Sequence, residues 1–211
     1  MSTNRTIMKS FHATIASLIL LPAFNAAFAQ PFAYISNQGS NSVSVINTAT
    51  DLVVATVPVG SSPYGVAANV VGNRVYVTKS GSTSVSVIDT ATATVAAIIG
   101  VDTAPNGIAV SPDGTRVYVA NSSNSVSVID TTTNLVTATV PTTGTTPFGV
   151  AVNPAGTRVY VTHNNSSNMN VIDTSTNSVV GILRLAPDLE GLRSCPTARA
   201  YMRSTGSEIH G

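Results

Sequence analysis

Between Gln30 and Leu183 the side chains able to do acid–base or metal chemistry are Asp51, Asp89, Asp102, Asp113, Asp130, Asp173 and a single histidine, His163; that stretch has no glutamate. A hydrolase or lyase centre needs carboxylate, amide or imidazole groups converging on one point, commonly around a divalent ion. The spacing points elsewhere. Asp89, Asp130 and Asp173 occupy one position of a recurring segment, and Arg74, Arg116 and Arg158 occupy another. Asp113 belongs to Ser111-Pro112-Asp113-Gly114, a type I turn signature. A group that recurs once per unit is structural, because a single active site breaks such symmetry. The arginines read as partners of turn carboxylates or as caps of strand ends. His12 lies in the signal and His210 at the extreme C-terminus, far from His163 in sequence, so a three-histidine metal site is hard to build. No catalytic residue, cofactor site or metal site is assigned, and the chain is read as non-enzymatic.

The elements that position these residues come from an internal repeat. Tyr34, Tyr76, Tyr118 and Tyr160 are spaced 42 apart. Each is followed by a second block, Val43-Ser44-Val45-Ile46, Val85-Ser86-Val87-Ile88, Val126-Ser127-Val128-Ile129 and the divergent Met169-Asn170-Val171-Ile172. Gly65-Val66-Ala67, Gly107-Ile108-Ala109 and Gly149-Val150-Ala151 form a third. Four short β-branched runs per unit, divided by turn residues and without helical periodicity, make a four-stranded antiparallel meander. One full unit has strands near Gly107–Ser111, Arg116–Asn121, Ser125–Asp130 and Leu135–Pro141. Apolar residues on both faces mean that each sheet is sandwiched between neighbours. The fold class is therefore all-β, a β-propeller of four-stranded blades with a roughly 42-residue repeat. About four blades are present and the ring is incomplete: three full blades follow three strands of an earlier one. A β-solenoid with two coils per unit is the runner-up, disfavoured by the Pro-Asp-Gly hairpin.

These blocks resemble the YVTN-type β-propeller repeat family, whose Tyr-Val-Thr-Asn block precedes Val-x-Val-Ile-Asp. Tyr118-Val119-Ala120-Asn121 differs from the first by one residue, and no copy is literal. The resemblance spans residues 32–183 and implies an exported propeller, periplasmic or on the cell surface, commonly without assigned activity. It transfers no catalytic residues.

Function in such a scaffold lies in the loops at one end. Tyr64, Asn106 and Phe148, inside the Pro-x-Gly blocks, are expected at the channel mouth, with Asn37, Lys79, Asn121 and His163 farther out. Constancy of the scaffold and variation at these positions suggest a ligand face; relaxed constraint in loops is the competing explanation.

The termini differ from the repeats. Arg5 and Lys9, the apolar run Ala13–Leu21 and the small-x-small triplet Ala27-Phe28-Ala29 form a signal peptide over 1–29, too short and too interrupted by Pro22 to span a bilayer. Residues 30–183 are the repeats. The lone Cys195 excludes an internal disulfide framework. The tail 184–211 loses the pattern, yet a one-base shift of its codons lets Leu183–Met202 encode Pro-Val-Gly-x-x-Pro-x-Gly-Val-Ala-Val-Met-Pro-Asp-Gly-Thr-Arg-Val-Tyr. That is a fifth repeat in register, so a frame slip near Ile182 is inferred. Charged residues make up only 9% of the chain and the net charge is +1, which disfavours nucleic acid and anionic membrane as partners. Together these features predict an exported binding or surface module, periplasmic, cell-surface or extracellular, with a protein or glycan partner. Self-association through unclosed blade faces is expected. The alternatives are a fragment of a lactonase- or lyase-type propeller enzyme lacking its active-site blades, or a non-functional truncated product.

Overall fold

The computed structural model describes residues 32–69 and 72–184. The expected signal peptide, Cys195 and the tail beyond Arg184 lie outside the described residues. Apart from one 3-10 turn, Gln38–Ser40, every element is a strand: β1 (Phe32–Asn37), β2 (Ser42–Asn47), β3 (Leu52–Pro58), β4 (Pro63–Ala68), β5 (Arg74–Lys79), β6 (Ser84–Asp89), β7 (Thr94–Gly100), β8 (Pro105–Val110), β9 (Arg116–Asn121), β10 (Ser125–Asp130), β11 (Leu135–Pro141), β12 (Pro147–Val152), β13 (Arg158–His163), β14 (Asn168–Asp173) and β15 (Ser178–Arg184). They form a three-stranded sheet, β1-β2-β3, and three four-stranded antiparallel sheets in sequence order, here blades 1 to 4. Among the described residues blade 1 lacks the innermost strand that β4, β8 and β12 supply to the others. No described helix is long and apolar enough to cross a membrane.

Turn chemistry sets the strand boundaries. Asp89, Asp130 and Asp173 each accept two backbone N–H bonds from the residues two and three positions on, closing the turn into the outermost strand. Gly114, at φ +72, donates to the Ser111 carbonyl at 2.8 Å and closes the Pro-Asp-Gly hairpin. Every blade carries a bulge in its outermost strand at the same place, opposite Val45/Ile46, Val87/Ile88, Val128/Ile129 and Val171/Ile172. The extra residue switches the strand's parity. Val95 thus faces blade 1, while Ala97 and Ile99, two and four residues on, face blade 3.

The core is three separate clusters, one in each gap between blades. Val75, Val77 and Ile88 of blade 2 meet Val43, Val45 and Val57 of blade 1. Tyr76, Val85, Val87 and Ile99 on its other face meet Val117, Val119 and Ile129 of blade 3. Tyr118, Val126, Val128 and Val140 of blade 3 then meet Val159, Val161 and Ile172 of blade 4. Each fully buried Val or Ile gains about 1.5–3 kcal/mol over exposure, so the gaps hold the molecule together. The innermost strands of blades 2 to 4 stand side by side around the axis, β4 beside β8 and β8 beside β12, and β1 of blade 1 lies beside β4.

Candidate functional site

Strand polarity sorts the charges between the two ends of the propeller. Pro63, at the start of β4, pairs with Lys79 at the end of β5, which pairs with Ser84, which pairs with Gly100. One end therefore gathers the connections β3–β4, β5–β6 and β7–β8; it carries Lys79, Asp102, His163 and, at the end of β15, Arg184. The other end carries Arg74, Arg116 and Arg158 and the turn aspartates Asp51, Asp89, Asp113, Asp130 and Asp173.

At the first end, Tyr64 and Phe148 meet across the axis, ring centroids 5.5 Å apart and planes at 65°, an edge-to-face arrangement. Asn106 occupies the same position of the intervening blade 3. Its Nδ2 donates to Ser122 Oγ at 2.9 Å and toward the Pro147 carbonyl at 3.5 Å. Tyr64 is 41% exposed. The Pro-x-Gly blocks thus bring these three residues together, as their spacing predicts.

Close backbone approach around the axis requires the glycines. A Cβ on Gly107 would overlap the Phe148 carbonyl oxygen, and one on Gly65 would come within 2.5 Å of the Asn106 carbonyl oxygen. Hydroxyl ties lock neighbouring blades here: Ser36 Oγ donates to the Tyr64 carbonyl at 2.7 Å, and Thr78 Oγ1 to the Asn106 carbonyl at 2.6 Å. Immediately before each Pro-x-Gly block stands a left-handed residue, Ser62 (φ 50), Ala104 (φ 49) and Thr146 (φ 55). Such a conformation ahead of proline costs on the order of 1–3 kcal/mol. Backbone bonds hold it, from Ser80, Ser122 and Asn164 N–H to the three carbonyls.

Asn37, Lys79, Asn121 and His163 occupy one strand-end position, but as packed residues rather than solvated loop groups. Lys79, Asn121 and His163 are all buried and Asn37 partly so. Asn121 Nδ2 donates to Ser125 and Ser127 Oγ at 3.1 and 2.9 Å, and Asn37 Nδ2 bridges Ser42 and Ser44 in the same way. Burial pushes the Lys79 ammonium below the usual lysine range. His163 Nδ1 lies 3.1 Å from the Asn168 carbonyl and serves as donor; its buried Nε2 has no partner.

What covers this position varies in step with it. Lys79 lies over Gly60, whose Cβ would sit 3.3 Å from the lysine Cδ, and the His163 ring lies on Gly144, where a Cβ would come within 2.5 Å. In blade 3, where the occupant is the smaller Asn121, the equivalent residue is Asp102. It accepts from Ser125 Oγ at 2.9 Å, and that hydroxyl, with the Thr103 N–H, holds its carboxyl below the ordinary range. Small-over-large and large-over-small packing accounts for the variation that the sequence presented as a ligand face.

The opposite end is ionic, and in blades 3 and 4 its arginines are engaged. Arg116 reaches from blade 3 to the Thr174 carbonyl of blade 4 at 2.6 Å, and Arg158 pairs with Asp173 at 2.5 Å. The Ser175 hydroxyl and amide, the Thr176 amide and then Arg158 hold the Asp173 carboxyl down at about 2. A polar cleft of about 270 Å³ lies between blades 3 and 4, lined by Ser111, Asp113, Arg116, Tyr118 and Ser175 among others. Its charged groups are already engaged: Asp113 accepts from Ser111 and Thr115, and Arg116 donates to Thr174. Among the described residues no group of three or more His, Cys, Asp or Glu side chains is placed to hold a metal ion.

This architecture is that of a β-propeller, and comparison with known proteins agrees. The family model for "Lactonase, 7-bladed beta-propeller" matches residues 92–180. A solved chain of Kuenenia stuttgartiensis hydrazine synthase is similar, with a TM-score of 0.70 and 31% identity over 72% of this chain and 46% of that one. This chain thus spans less than half the length of that relative. No curated protein matches the sequence.

Proposed function

We propose that the chain is an exported, non-enzymatic recognition module, periplasmic or at the cell surface as in YVTN-type repeat proteins, that takes a protein or glycan partner at the axial end carrying Tyr64, Asn106 and Phe148. The observation that carries this reading is the edge-to-face Tyr64–Phe148 pair beside the Asn106 amide. Aromatic faces and an amide on a rigid scaffold suit stacking on a sugar ring or gripping an apolar side chain. At the same end His163 bonds the Asn168 carbonyl and Asp102 accepts from Ser125, which suits a scaffold more than a reaction centre. Binding of the exported chain to an array of immobilised glycans and cell-envelope proteins tests it. Tyr64→Ala with Phe148→Ala should cut binding by at least about tenfold, the expected weight of two interface aromatics, while the variant still melts cooperatively, at a temperature lowered by the loss of one aromatic pair. Equal binding by the double variant would refute the site.

The match of residues 92–180 to the lactonase model favours a second reading, in which these blades belong to a propeller enzyme whose reactive groups lie on other blades. Hydrolysis of simple lactones by the full chain above the buffer rate, with and without divalent cations, separates the two.

A further inference from the structure

The two end faces of the blade stack are unequal to the inner faces they repeat. On blade 4, Leu183 stands where Ile99 and Val140 are buried and is 49% exposed. Tyr160, Met169 and Val171 are likewise half-buried, where Tyr118, Val126 and Val128 are sealed. On blade 1, Ile35 and Val53 are 50% and 59% exposed at the positions of Val77 and Val95. In the three gaps within the chain, a surface of the first kind always packs against one of the second: Val57 with Val75 and Val77, Ile99 with Val117 and Val119, Val140 with Val159 and Val161. The open face of blade 4 and the open face of blade 1 are therefore the two halves of an interface that the molecule already makes three times. One of these gaps also has a polar crossing: Arg116 spans it to the Thr174 carbonyl, whereas Arg158, its counterpart on the open face, has no further blade beside it among the described residues and folds back onto Asp173.

We infer that a second copy of this chain covers these faces head to tail, blade 4 of one copy packing on blade 1 of the other, with Leu183, Val171 and Tyr160 against Ile35, Ile46 and Val53. The contact is heterologous, so it either closes a ring of two copies or propagates. It lacks the inner-strand contact that β4, β8 and β12 give the internal gaps, because blade 1 has no such strand among the described residues. The joint is accordingly weaker than the internal ones and depends on concentration. It is independent of the axial binding end.

Light scattering on the full chain, over a dilution series, tests the inference with Leu183→Lys and Ile35→Lys. Both positions are half exposed in the single chain, so each variant keeps its fold, checked by circular dichroism and melting. The wild type should associate as concentration rises. Each variant alone should associate more than about tenfold less tightly, since every joint then buries a lysine without a partner. An equimolar mixture of the two variants should regain association, capped at one pair, because the intact blade 4 face of Ile35→Lys meets the intact blade 1 face of Leu183→Lys. A wild type that stays monomeric at all concentrations, as it would if residues 185–211 covered the faces, overturns the inference. So do variants that still self-associate, or a mixture that stays monomeric.

Discussion

Blades 3 and 4 share a sequence pattern, a bulge and a set of turns, yet blade 3 is sealed on both faces and blade 4 on one. Tyr118 is 1% exposed and Tyr160 half-buried, although both are the central residue of the same strand in the same repeat. The pattern fixes the direction in which a side chain points. Burial is supplied by the neighbouring blade, as in repeat proteins whose stability is a sum of interface terms.

The comparison sharpens most with the tyrosines. Tyr118→Ala should cost about 3–5 kcal/mol and Tyr160→Ala roughly half of that, because only the first leaves a closed cavity. Chemical denaturation of both variants measures the gap, and equal losses would mean that the open face is covered. Next come the axial glycines. Gly107→Ala drives a methyl into the Phe148 carbonyl and the backbone of Gly149 and Val150, whereas Gly149→Ala meets only the Thr162 hydroxyl. About 1–3 kcal/mol is expected for the first, the usual cost of overpacking, and less for the second, where a side-chain hydroxyl rather than backbone must move. Asn121→Ala leaves the Ser127 hydroxyl without its partner and Ser125 with only Asp102 in blade 3, and should cost about 1–2 kcal/mol. His163→Ala removes one bond to the Asn168 carbonyl in blade 4 and should cost less.

The smallest effect is acid sensitivity, and here blade 4 leads. Asp173 titrates at about 2 in the folded chain against 3.8 without its partners. Its folded value is depressed, so its contribution is complete above pH ~4 and disappears as pH falls toward 2. Ser175→Ala should narrow that loss more than Arg158→Gln, following the order of their effects on the carboxyl. Carboxyl NMR titration or the melting point across that window reads it.

Strand ends were legible wherever a local turn fixes them. Arg116–Asn121, Ser125–Asp130 and Leu135–Pro141 appear as the spacing predicts, because Asp130 and Gly114 close turns through their own backbone. The first strand of that blade begins two residues earlier, at Pro105, because β8 resumes pairing beyond a register shift. The bulges were invisible. A strict alternation over Val95, Ala97 and Ile99 puts all three on one face, whereas the extra residue sends the first to the opposite gap. At the candidate site, Tyr64, Asn106 and Phe148 were legible because their common spacing brings them to one axis. The burial of Lys79, Asn121 and His163 was not, since it depends on Gly60, Asp102 and Gly144, which come from another connection and make sense only once the strands are laid side by side.

Among the described residues the Tyr64–Phe148 contact is the one side-chain link that skips a blade. It joins blades 2 and 4 over blade 3, so those three cannot open one at a time without breaking it. Among the described residues blade 1 has no inner strand and packs against blade 2 alone. Native-state hydrogen exchange should therefore divide the chain at the connection 59–62: amides of β2 and β3 exchange through a small local opening, while those of β5, β6, β9 and β10 wait for one larger, shared event.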